Sequence, residues 1–92
     1  MSSLTDADRE YVAKFVDVVS EALEESPGAD ASLMLLFEAC REVSGPRFVP
    51  MTTFDRLLRA TGYQRTGRRY GNRYTGLRPK NPVFHDRVWY HN

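Results

Sequence analysis

The chain has one cysteine, Cys40, and only two histidines, His85 and His91. A lone thiol excludes an internal disulfide, and a Cys with two His at no ligand spacing offers no zinc site. No apolar run is longer than Leu33 to Phe37, against the roughly 20 residues that a membrane helix needs, so no membrane partner is expected. The opening MSSLTDADRE has neither a basic start nor an apolar stretch, which points to a cytoplasmic protein without a secretory signal. No Ser/His/Asp arrangement is traceable, and the lone turn RYGN is not a phosphate loop. A non-enzymatic protein with no catalytic residue, cofactor or metal is therefore expected.

Ninety-two residues make one small domain with room for a core but not for two. The 41% apolar and 27% charged content is ordinary for a globular protein. The formal charge of +1 conceals a division along the chain. Residues 1–46 carry three basic and ten acidic residues, whereas residues 47–92 carry ten basic and two acidic ones. Such polarity suggests a polyanionic partner, nucleic acid being the commonest; the alternative is that the halves neutralise each other across the fold. The extreme is RTGRRYGNRYTGLRPK (65–80), with six cations, two tyrosines, three glycines and no acid.

Three helical patterns precede that stretch. The first is expected over Asp6 to Glu25, capped by Thr5 with Asp8 completing a capping box, with Val12, Phe15, Val16, Val19 and Leu23 as one apolar stripe. The second should start after Asp30 as cap and run to about Val43, with Leu33, Leu36, Phe37, Cys40 and Val43 on its inner face. Ser44-Gly45-Pro46 breaks the pattern, and Phe48-Val49 suggests a short extended piece. The third spans about Met51 to Thr61 and stops at Gly62. Phe54, Leu57, Leu58 and Thr61 should point inward, leaving Thr52, Asp55, Arg56 and Arg59 outside. Tyr63–Arg68 and Arg73–Arg78 then read as two strands joined through Gly71-Asn72, a β-hairpin with an arginine-rich tip.

Three helices followed by a basic hairpin is the order of a winged helix, a mainly α fold with a small β-hairpin. The run from Asp30 to Arg78, with TTFDRLLRATGY, RTGRRYGNRY and YTGLRP in that order, resembles the DNA-binding domains of the regulatory factor X family. It is similar also to the winged-helix segment ending many phage and plasmid primases. The strand that such domains place between their first two helices has no obvious counterpart in SPGADA, and Phe48-Val49 is the alternative partner for the hairpin. The resemblance implies double-stranded DNA binding, sequence-specific or structure-specific, in transcription regulation or in replication or recombination, in a bacterial or phage setting.

By position, the DNA-binding residues would be Thr52, Thr53, Arg56 and Arg59 on the third helix and Arg65, Arg68, Arg69, Tyr70, Asn72 and Arg73 in the hairpin. Arginine suits both tasks, because its planar fork binds phosphate bidentately or reads guanine O6 and N7. Whether wing or helix enters the major groove stays open. So does a different class of function, a protein-interaction module or inhibitor engaging an acidic protein surface through the same hairpin. Residues 1–79 would form the winged-helix domain. Residues 80–92, with Val83, Phe84, Val88, Trp89 and Tyr90, would either pack on it or mediate a homodimer.

Overall fold

A computed structural model of the chain describes residues 4–63, 65–66 and 73–90. The elements in chain order are α1 (Asp6–Arg9), α2 (Val12–Ala22), β1 (Leu23–Ser32), α3 (Leu33–Ser44), α4 (Met51–Ala60), β2 (Arg65–Thr66), β3 (Arg73–Pro79), a 3₁₀ helix (Pro82–Arg87) and β4 (Trp89–Tyr90). The strands form one antiparallel sheet in the order β2-β3-β1-β4. The fold is thus α+β, with helices on a small antiparallel sheet. The sheet is larger than the two-stranded hairpin read from the sequence.

The first helix is two helices, not one. The expected Thr5–Asp8 capping box is present, but Tyr11 N donates to Asp8 O at 3.0 Å, an i→i+3 bond that tightens the turn and restarts the helix at Val12. Nor does helix reach Glu25, because Leu23 is already extended. The segment LEESPGADAS, which carries turn signals, is a strand interrupted by a bulge. Leu23, Glu24 and Glu25 pair with Pro79, Arg78 and Leu77; after a register shift, Asp30, Ala31 and Ser32 pair with Thr75, Tyr74 and Arg73. Pro27-Gly28 sits in the shift, with Gly28 at φ 82°, where a glycine backbone costs least. The strand expected to be missing between the first two long helices is therefore present.

Asp30, read as a helix cap, belongs to that strand. The cap of α3 is Ser32, whose hydroxyl accepts from Leu35 N at 3.1 Å. Helix α4 has the expected bounds within one residue. Phe48 and Val49 are buried but lie in no strand. Phe48 instead joins Phe15, Phe37 and Phe54, whose ring centroids lie 5.4–5.8 Å apart in tilted or edge-on pairs around the fully buried Phe54. That cluster locks α2, α3 and α4 together.

Cys40 is buried in the same core, and burial pushes its thiol up to about 12, so it behaves as a small apolar residue. Beyond β3 the chain folds back onto the domain. Lys80 N donates to Ala22 O at 2.8 Å, Phe84 and Val88 are buried, and Trp89-Tyr90 pair with Asp30 and Ala29 of β1. Val83, Trp89 and Tyr90 remain exposed.

Candidate nucleic-acid interface

Helix α4 has a sharply two-sided sequence. Phe54, Leu57 and Leu58 enter the core, and Thr52, Arg56 and Arg59, at i, i+4 and i+7, share the opposite side. Thr52 and Arg59 are exposed, and the Arg56 side chain retains 32% of its accessible surface. Thr53 and Asp55, however, are buried. A helix wedged between α1 and β3 loses its flanks as well as its inner face.

Asp8 explains one flank. It is 1% exposed and accepts from Thr5 N (3.1 Å), Thr53 Oγ1 (3.0 Å), Arg56 Nε (2.7 Å) and an Arg56 terminal nitrogen (2.8 Å). The bidentate Arg56 fork is the main cause that holds the Asp8 carboxyl well below the usual carboxylate range; the Thr5 and Thr53 bonds act the same way, and burial opposes them. A depressed carboxylate stabilises the fold above the unfolded-chain value of about 4 and loses that contribution as pH falls through the lower folded value. The gap in thermal midpoint between wild type and Asp8→Asn should be constant near neutrality and shrink below about pH 4. A gap of the same size at pH 2.5 would show that the Asp8 charge does not stabilise the fold.

The other flank is tied by β3. Tyr74 OH bonds Asp55 Oδ1 and also lies 3.1 Å from Asp55 O. Arg59 approaches the same carboxylate at 3.5 Å while its side chain stays 46% exposed. A single loose surface contact of this kind is worth at most about 1 kcal/mol, so Arg59 can be redirected to a ligand at little cost.

The basic run 65–80 divides into two sets. Arg73 is 7% exposed, with its Nε 2.6 Å from Asp30 Oδ1 and a terminal nitrogen 3.0 Å from Asp30 O, and its guanidinium sits 3.7 Å from the centre of the Trp89 ring. Arg78 Nε donates to Glu24 at 2.8 Å and its terminal nitrogen to Tyr90 OH at 2.8 Å. Lys80 Nζ donates to Ser20 O at 2.7 Å. These three cations bind β3 and the tail to the rest of the domain. Arg65 is placed by its backbone at the start of β2; Arg68, Arg69, Tyr70 and Asn72 lie outside the described residues.

Two of the expected contact residues are thereby corrected. Thr53 and Arg73 are buried and bonded inside the domain, which withdraws them from any surface. Thr52, Arg56 and Arg59 are brought together on one face. Sequence reasoning missed the acidic partners Asp8, Asp30 and Asp55. The one available signal was that acids sat inside helix and strand patterns otherwise rich in core residues. Among the described residues no three His, Cys, Asp or Glu side chains gather as a metal site, and no helix is long and apolar enough to cross a membrane. No protein-family model, curated protein or solved structure matches the chain.

Proposed function

We propose that the chain is a winged-helix protein that binds double-stranded DNA through the outward face of α4 and the arginine-rich hairpin that follows it. The observation that carries this reading is the element order α2-β1-α3-α4-β2-β3 with strand order β2-β3-β1. It includes the strand between the first two long helices that the regulatory factor X domains and the primase segments have and that the sequence did not reveal. Few residues separate α4 from β2, so the exposed Arg59, the partly exposed Arg56 and the hairpin cations belong to one continuous stretch of chain.

The charge distribution supports the same reading. Arg56 presents its remaining N–H donors from a guanidinium already oriented by Asp8, which reduces the entropy lost on gripping a phosphate. Arg59 is the looser of the two and is the better candidate for a base edge. The DNA contacts proposed are Thr52, Arg56 and Arg59 on the helix and Arg65, Arg68, Arg69, Tyr70 and Asn72 in the hairpin, in transcription regulation, replication or recombination.

Titrating isotope-labelled protein with a random-sequence duplex tests the placement. Amide signals of Thr52, Arg56, Arg59 and residues 65–72 should shift, while those of Asp17, Glu21 and Glu38 stay still. Shifts confined to the acidic helices, or none at low salt, would overturn the proposal.

A further inference from the structure

Asp55 is the only acid of α4, and it stands beside Arg56 and one turn before Arg59. An acid at that place works against phosphate binding, because it repels the same polyanion. Its setting is nevertheless built. The Asp55 side chain retains 13% of its accessible surface, and an ionised carboxylate so far from water needs donors. One donor comes from the sheet: Tyr74 of β3 is fully buried, and its hydroxyl bonds Asp55 Oδ1 and lies 3.1 Å from Asp55 O. The other carboxylate oxygen, Oδ2, faces a terminal nitrogen of Arg59 at 3.5 Å. Tyr74 thus fixes the carboxylate, and the carboxylate steers the guanidinium.

The length of that last contact matters. At 3.5 Å it is too long to lock Arg59 in place and short enough to set the direction of its fork. Guanine O6 and N7 take one N–H from each terminal nitrogen, in the plane of the fork. The second N–H of the nitrogen nearest Asp55 stays with the carboxylate meanwhile. Arg56 is held differently. Asp8 takes its Nε and a terminal nitrogen at 2.7 and 2.8 Å and draws it against α1, leaving its side chain 32% exposed against 46% for Arg59. Arg59 is therefore the arginine free to extend toward a base edge.

We propose that Asp55, held by Tyr74, is a positioning residue that makes Arg59 a reader of guanine rather than an anchor for phosphate. The assignment rests on the DNA-binding reading and adds to it the base recognised and the residues that set the preference. The carboxylate turns the fork so that two coplanar donors face outward. It also lowers the gain from a phosphate approaching the same guanidinium, whereas a guanine edge carries no charge to repel. A base without the O6 and N7 acceptor pair leaves those donors unmatched.

Selection from a random duplex pool, followed by salt titration, compares wild type with Asp55→Asn, Arg59→Ala and the double variant. Wild type should prefer guanine at one position by about tenfold or more. Asp55→Asn is near-isosteric and still accepts from Tyr74; it should cut that preference to about threefold or less. On random duplex its slope of log affinity against log salt should steepen by about 0.9, because the released Arg59 takes a phosphate. In the Arg59→Ala background Asp55→Asn should change neither quantity, since the carboxylate acts through that arginine. Tyr74→Phe, which loses only the hydroxyl, gives the same direction of change should Asp55→Asn fold poorly. Guanine preference retained in Asp55→Asn or Arg59→Ala, preference for another base, or an undiminished effect of Asp55→Asn without Arg59 would overturn the inference and leave duplex binding standing. No duplex binding by any of these proteins at low salt would overturn the DNA reading and the inference with it.

Discussion

Arg73→Ala should lower the stability of the domain by about 3–5 kcal/mol, the usual cost of removing one partner from a buried ion pair. The side chains of Arg73 and Asp30 are both about nine-tenths buried, joined at 2.6 Å across β3 and β1. The truncation deprives the buried Asp30 carboxylate of that guanidinium and leaves the Trp89 ring without the cation beneath it. A domain of this size has only about 5–15 kcal/mol in total, and each kcal/mol moves the midpoint by roughly 4–8 °C. A fall of more than about 10 °C is therefore expected. Arg73→Lys should be intermediate, since an ammonium keeps the charge but loses the planar fork and the stack. A midpoint within 2–3 °C of wild type, about the response to a surface substitution, would show that Arg73 is not structural.

The second expectation is the converse, a large loss of DNA affinity at constant stability. Arg68→Ala/Arg69→Ala removes two cations of the hairpin and keeps Arg56, Arg73 and Arg78, which hold ion pairs with Asp8, Asp30 and Glu24. Hydrogen bonds to charged groups are worth about 1.5–3 kcal/mol each, so the pair should weaken duplex binding about 100-fold or more. The circular dichroism melt should match wild type. Wild-type affinity in this variant would move the binding surface to the helix face alone. The two variants together separate arginines that hold the fold from arginines that hold the ligand, a distinction that composition does not make.

Much of the helical framework was legible because its signals are local. The Thr5–Asp8 capping box, the end of α3 at Ser44-Gly45-Pro46 and the bounds of α4 all follow from nearest neighbours in the chain. What was not legible depends on partners far along the sequence. β1 looked like a turn because Pro27-Gly28 occupies its bulge, and only pairing with β3 makes it a strand. Asp8 meets Arg56, Asp30 meets Arg73 and Asp55 meets Tyr74 only through tertiary contacts. The same limit blurred the stripe read on the first helix: Phe15 and Leu23 are buried and Val19 packs against the core as expected, but Val12 and Val16 are exposed and the core takes Val18 and Ala22 in their place. Within the candidate site, helical spacing placed Thr52, Asp55, Arg56 and Arg59 outward; that holds for Thr52, Arg56 and Arg59, whereas Asp55, and the expected contacts Thr53 and Arg73, are buried.

Equilibrium titration of a random duplex over a series of salt concentrations, with wild type and Arg68→Ala/Arg69→Ala side by side, tests the central claim most directly. Each phosphate neutralised contributes about −0.9 to the slope of log affinity against log salt. If Arg56, Arg65, Arg68 and Arg69 contact the backbone while Arg59 meets a base edge, wild type should approach a slope of about −3.6, and the double variant should be shallower by about 1.8. A flat salt dependence, the same slope for both proteins, or no binding at low salt would contradict the account.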